Sequence, residues 1–351
     1  MATVDNVSLH NVAEFREQPD GGITFQRVPE AVRARLNEHA RERALDTAGT
    51  EIRFVMAGPR AEVRLHATSG SAGVQVFFGD FRVNQEHMVG DDIATIAVDR
   101  PNWFLSIAPD RLAPLGFAPC VCRVQLIRGA VCFHEVKGDV RPPRKEELPS
   151  VRFLAYGTSI TQGAGASMRH LCFAAQTATR LRADLLNLGF ASSCYCEPAI
   201  ADYMATRDDW DVALLEISTN MAGFALDEFG RRARYMVNAM ATPSPRRLVA
   251  CMTLFPKTAD LGREHLASNC GGTPEQYRQA LREAVRECGR DNVLLFEGRE
   301  LLPEWRGLAT ELLHPSDYGH TIIAENLARR LAERVPGLLH GSTQASDARR
   351  S

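Results

Sequence analysis

Two separated stretches carry the residue types of nucleophilic catalysis: Gly157-Thr158-Ser159-Ile160-Thr161-Gln162-Gly163 and Glu311-Leu312-Leu313-His314-Pro315-Ser316-Asp317-Tyr318-Gly319-His320. A serine hydroxyl attacks an acyl carbon only when a neighbouring base takes its proton. An imidazole serves best when a carboxylate fixes its other ring nitrogen. Glu311 lies three residues before His314, and Pro315 pre-sets a first helical turn, so His314 stands at a rigid loop-to-helix junction. Asp317 offers a second carboxylate, either as a cap of the final helix or as a rival partner for His314. His320, at helical spacing from His314, reads as a surface or capping residue. The first stretch is not Gly-x-Ser-x-Gly, so the nucleophile elbow of α/β-hydrolases does not fit, and it lacks the Gly-Lys-Ser/Thr ending of a P-loop. Each stretch alone also has an ordinary reading, Ser159 as a turn cap and His314 as a surface histidine beside a helix start.

The surrounding pattern places these residues. Val151–Tyr156 is a short apolar strand that runs directly into Ser159. Strands at Leu185–Leu188, Val212–Ile217, Arg247–Leu254 and Val293–Phe296 alternate with helices at about His170–Arg182, Glu197–Ala205, Asp227–Met240, Pro274–Cys288 and Ser316–Arg334. Five apolar strands alternating with helices predict an α/β/α sandwich around a five-stranded parallel sheet. In such sheets ligands bind beyond the C-terminal strand ends, beside the topological switch point, where Ser159 would stand. Residues 1–140 read differently. Glu51–Met56, Ala61–Ala67, Gly73–Phe78, Ile93–Val98, Trp103–Ile107, Cys122–Ile127 and Val131–Glu135 are short strand-like runs punctuated by Gly, Pro and Asp, which predicts an all-β sandwich. A helix is expected over Glu30–Arg43, from Val32, Leu36 and Ala40. Gly138–Ser150, with three prolines and a charge cluster, reads as a linker, so the expected division is 1–140, 141–150, 151–338 and a disordered tail over 339–351.

Taken in order, the motifs resemble the SGNH (GDSL-type) hydrolase superfamily, whose catalytic domain is flavodoxin-like. Gly157-Thr158-Ser159-Ile160-Thr161 is similar to its first block, with Thr158 where Asp is commoner; Asn187-Leu188-Gly189-Phe190 is similar to the second, Thr219-Asn220-Met221 to the third, and Glu311-x-x-His314-Pro315 to the last, with Glu where Asp is usual. The preceding β domain resembles a carbohydrate-binding module in outline and points to a two-domain subfamily. As a whole the chain is similar to GDSL-like acyltransferases of tetracycline-type polyketide biosynthesis. The resemblance implies Ser159 as nucleophile, His314 as general base and then acid, and Glu311 as the partner that fixes its tautomer. It implies an oxyanion hole built from the Ser159 N–H, a second-block N–H and the Asn220 amide; losing one such donor typically costs about 2.7–4 kcal/mol in the barrier. Where the family usually has Ser-Gly in the second block, this chain has Ala191-Ser192. Ser192 donates as Gly would if its φ is negative, and is strained by about 1–2 kcal/mol if its φ is positive.

Lys+Arg is 41 and Asp+Glu is 43, a net charge of −2, which argues against a generally basic nucleic-acid binder and leaves specificity to a local pocket. No stretch approaches the roughly 18 consecutive apolar residues of a membrane helix, so no membrane partner is expected. The first 30 residues hold charges and no apolar core of a secretory signal, so a cytoplasmic location is expected. The nine cysteines are odd in number; Cys120-x-Cys122 and Cys194-x-Cys196 lack the two-to-four-residue spacing of zinc sites, so core thiols and no metal are expected, with Cys194 or Cys196 beside the oxyanion loop. Met221, Phe224, Phe255 and Trp305 fall at the active end, as acyl-pocket walls or as ordinary loop packing. No bound cofactor is expected. The expected reaction transfers an acyl or aryl group from an acyl-CoA, as co-substrate, to a hydroxyl of a small natural product; hydrolysis of a small ester or acetylated sugar is the alternative.

Overall fold

The computed structural model describes residues 2–241, 244, 247–262 and 271–334. The polar tail read from sequence lies outside them. The N-terminal part pairs two antiparallel sheets face to face. One contains Thr50–Met56, Ala72–Phe78, Phe81–Val89 and Val121–Arg128; the other runs in the order Glu14–Glu17, Ile23–Gln26, Val131–Lys137, Arg60–Ala67, Ala94–Asp99. Alternate residues such as Val63, Leu65, Phe54, Val124 and Phe133 close on one apolar core between them. Two expectations here are corrected. The apolar run at Trp103 is a helical turn, Asn102–Leu105, entered from Pro101, since a run this short has no period to separate strand from helix. Glu30–Arg43 is two short helices, Glu30–Arg33 and Glu38–Arg43, because Asn37 caps the second through its side chain and the Ala40 N–H. The segment read as a linker contributes a short strand, Val140–Arg141, paired to Thr50–Met56.

The second part is a parallel sheet with helices on both faces. Its strands are Val151–Gly157, Ala183–Gly189, Val212–Glu216, Leu248–Met252 and Val293–Phe296, in spatial order second-first-third-fourth-fifth. Alternate strand residues serve opposite layers. Leu154, Tyr156, Ala213 and Leu215 pack under Pro198–Thr206, Leu226–Ala241 and Pro274–Cys288, while Phe153, Ala155, Val212 and Leu214 pack under Phe173–Arg180 and Asp317–Arg334. The strand order reverses beside the first strand, and the register levels Gly157 with Gly189 on one side and with Glu216 on the other. A crevice therefore opens beyond these three strand ends.

The two parts share a polar seam. Arg53, fully buried, clamps Asp184 of the second strand with two bonds of 2.7 Å while its Nε donates to Glu51 at 2.6 Å. His10 donates to the Leu185 carbonyl at 2.6 Å. Arg27 donates to the Gly189 carbonyl at 2.9 Å and the Asn187 carbonyl at 3.2 Å. A buried guanidinium left without such partners would cost several kcal/mol, so these contacts fix the sandwich along the second strand, Arg53 at its start and Arg27 at its crevice end.

Candidate active site

Ser159 opens a one-turn helix, Ser159–Gln162, capped by Thr158 and ended by Gly163 at φ 111°. A turn this tight needs help. Asn187 supplies it: its Nδ2 donates to the Thr161 carbonyl at 2.9 Å while its Oδ1 accepts the Gly189 N–H at 2.8 Å. Gly189 must be glycine because a Cβ there would stand 2.3 Å from the Gln162 nitrogen. The second-block Asn and Gly thus hold the serine turn by side chain and by close approach.

The Ser159 hydroxyl lies 2.9 Å from His314 Nε2, and His314 Nδ1 lies 2.9 Å from Glu311 Oε1. The same carboxylate oxygen accepts the His314 N–H at 3.1 Å. Partial burial on its own would raise the Glu311 carboxyl, but nearby backbone N–H groups and the imidazole outweigh it and hold it below the ordinary range. An ionised carboxylate only accepts, so Nδ1 carries the proton and Nε2 is left to accept from Ser159. Glu311 reaches back through Leu312, which sits in left-handed backbone at φ 51°. Such strain at a non-glycine residue persists only where its surroundings impose it. Asp317 is elsewhere: it accepts the Ser167 N–H at 2.8 Å and the Ser167 hydroxyl at 2.6 Å. His320 is a correction to the surface reading. It is fully buried, accepts the Phe173 N–H on Nδ1 and donates from Nε2 to the Ala164 carbonyl; burial pushes its pKa down to about 4.

The expected oxyanion donors lie on the serine turn and on the loops that follow the second and third strands. Asn220 Oδ1 accepts the Cys194 N–H at 3.1 Å, which turns its Nδ2 to the other side of the amide. The Gly189 and Ala191 N–H groups are consumed, by Asn187 and by Gln162 Oε1 at 2.8 Å. Ser192 is exposed and its φ is +61°, so it falls on the strained side of the sequence expectation. Cys194 and Cys196 are wholly buried against the helix layer, and Met221 and Phe255 are core residues, while Trp305 is exposed. Phe224 packs on Tyr195.

Glu216 is a site residue that no sequence pattern marks. It ends the third strand beneath the serine turn and accepts from the Thr158 N–H at 2.9 Å, the Thr158 hydroxyl at 2.6 Å and the Thr161 hydroxyl at 3.1 Å. Burial pushes its pKa up to about 6 even though these donors pull the other way. Gln162 is the second unforeseen member, bridging Ala191 to Asp46 of the sandwich, to which its Nε2 donates at 3.0 Å. Both sit inside runs that read as strand end and turn, and only the fold reveals what they touch.

Several solved structures share this architecture. The salicylyl-acyltransferase SsfX3 from a tetracycline biosynthetic pathway superposes with a TM-score of 0.74 at 19% identity, over 94% of this chain and 96% of that one. A GDSL-like lipase from Bacteroides ovatus gives 0.64 at 15% identity, over 94% and 96%. A family two carbohydrate esterase from Clostridium thermocellum, solved with cellohexaose, gives 0.59 at 15%, over 94% and 99%. No curated protein matches the chain by sequence. The family model of the GDSL-like lipase/acylhydrolase family matches residues 151–332, the span that carries the serine turn, both neighbouring strand ends and the histidine loop, and the chain belongs to that family.

Proposed function

We propose that the chain catalyses acyl transfer through an acyl-Ser159 intermediate, taking an acyl or aryl group from a CoA thioester and placing it on a hydroxyl of a small natural product of polyketide type. The observation that carries the chemistry is the unbroken line from Ser159 Oγ through His314 to Glu311, with 2.9 Å at each step. In the first half-reaction Ser159 Oγ attacks the thioester carbonyl as its proton passes to His314 Nε2. The oxyanion is met by the Ser159 N–H, the Ser192 N–H and Asn220 Nδ2. Collapse expels the thiolate, which takes the proton from His314. In the second half an acceptor hydroxyl gives its proton to Nε2 and attacks the acyl carbon, and Ser159 leaves reprotonated. Glu311 stabilises the imidazolium in both halves without itself taking the proton.

The extent of the likeness to the salicylyl-acyltransferase supports an alcohol as acceptor. Hydrolysis is the second reading, and one observation favours it: a quarter of the His314 side chain, at 25%, faces solvent, so water has a route to the base. Incubation with an acyl-CoA, with and without a hydroxylated aromatic acceptor, separates the two. Transfer predicts an acceptor-dependent ester by mass. Free acid at the same rate in both mixtures identifies a hydrolase.

A further inference from the structure

Outside the serine crevice, four potential ligand side chains meet on the outer face of the five-stranded sheet of the sandwich. Their ligand atoms, one each from Asp20, His66, Cys132 and His134, all lie within 4.8 Å of one another. We propose that Asp20, His66, Cys132 and His134 form a closed tetrahedral site for a zinc-class divalent ion.

The backbone explains the convergence. His66 on Arg60–Ala67 stands directly opposite Cys132 on Val131–Lys137. Residues opposite one another share a face, and the core side of these strands is taken by Val63, Leu65, Val131 and Phe133. The pairing then slips between Phe133 and Glu135, a bulge that leaves His134 without an opposite residue. Bulges re-aim a side chain in this way, and here the result is two imidazoles with ring centroids 5.2 Å apart. The turn between Glu14–Glu17 and Ile23–Gln26 lays Asp20 over them. Its Oδ1 accepts the Gly22 N–H at 3.1 Å, and its Oδ2 lies 3.8 Å from a ring nitrogen of each histidine. Gly22 is the residue that makes room: a Cβ there would stand 2.4 Å from Cys132 Sγ and 2.9 Å from the His134 ring.

The donor set selects the metal class. Bonds of about 2.0–2.1 Å to nitrogen and 2.3 Å to sulfur put tetrahedral ligand atoms about 3.3–3.8 Å apart. Here His66 Nδ1 and His134 Nε2 are 3.0 Å apart, Asp20 Oδ2 is 3.8 Å from Nε2 of each histidine, and Cys132 Sγ is 4.0 Å from the other carboxylate oxygen, Asp20 Oδ1. The four ligand atoms, now within 4.8 Å of one another, draw together by up to about 1 Å to close the shell. One sulfur, two imidazoles and one carboxylate suit zinc or cobalt(II) and exclude calcium and magnesium, which require oxygen shells. Four protein ligands leave no open position, so the role is to pin the Asp20 turn to the sheet.

The test is a cobalt(II) titration of the chelator-treated full chain. The expected result is one equivalent bound, with tetrahedral ligand-field bands in the visible, a thiolate-to-cobalt charge-transfer band, and displacement by zinc. Cys132→Ser must remove the charge-transfer band. Asp20→Asn, on a turn with 43% of the side chain exposed, keeps the fold and must weaken binding by at least about 10-fold, since loss of even an outer-shell partner typically costs that much. Far-UV circular dichroism establishes that each variant is folded. The proposal is overturned if the folded wild type gives no ligand-field bands, or if they persist unchanged in folded Cys132→Ser and Asp20→Asn.

Discussion

The crevice has a floor and a rim, and each is built on a glutamate. Glu216 at the floor is 3% exposed and accepts from the Thr158, Thr161 and Thr219 hydroxyls; Glu311 at the rim has 38% of its side chain exposed and, among the described side chains, accepts from His314 alone. Burial drives the first carboxyl up to about 6, whereas the second is held below its ordinary range. The contrast separates two tasks. A carboxylate that must stay ionised to stabilise an imidazolium is kept near water and near N–H groups. A carboxylate that must hold the serine turn is buried where each of its bonds is strong and each loss is costly. Position 158, where the family more often carries Asp, here carries an uncharged hydroxyl, and the negative charge comes from the neighbouring strand.

The sharpest break of this contrast is in rate. His314→Ala removes the base itself and is expected to lower kcat/KM by about 10²–10⁴-fold with the fold intact by circular dichroism. Glu311→Gln removes one charged hydrogen bond, worth about 1.5–3 kcal/mol, and is expected to cost about 10–100-fold. Asp317→Asn is expected to leave the rate near wild type; were it the more damaging of the two carboxyl variants, Asp317 would be the partner.

At the floor the effect moves from rate to stability. Glu216→Ala leaves the Thr158 and Thr161 donors without their acceptor in a buried site, and a loss of about 3 kcal/mol in urea unfolding is expected. The same residue sets a pH dependence. With a pKa raised from 4.5 to about 6, folded Glu216 binds more protons than unfolded between those values. Its contribution is therefore full below 4.5 and is lost as pH rises through about 6, by about 2 kcal/mol. Wild type should lose that much stability against Glu216→Gln over this window, and parallel profiles would refute the assignment. The smallest effect belongs to the oxyanion loop. Ser192→Gly relieves left-handed backbone at φ +61° and is expected to stabilise the chain by about 1 kcal/mol with turnover retained.

Much of the second part was legible because its strands are apolar on both faces and its helices long enough to show their period. Pro274–Cys288 and Val293–Phe296 end where the sequence puts them. Ser159 follows directly on an apolar strand, and Glu311 and His314 share one short loop before the last helix, so the sequence could single out three residues that the fold brings within hydrogen-bonding distance. What escaped depends on tertiary partners. Phe81–Val89 is an exposed edge strand whose polar run shows no alternation. Arg27 and Glu216 are charged residues made internal by partners distant in sequence. Asp20, His66 and His134 come together from three segments through a bulge that no spacing announces.

Nucleophilic activation of one serine is the claim on which the rest depends, and a fluorophosphonate probe reads it directly by intact mass. The expected result is a single adduct on the wild type, mapped to Ser159, slowed in His314→Ala and absent in Ser159→Ala. A folded wild type that takes no adduct, or an adduct that persists in Ser159→Ala, would contradict it.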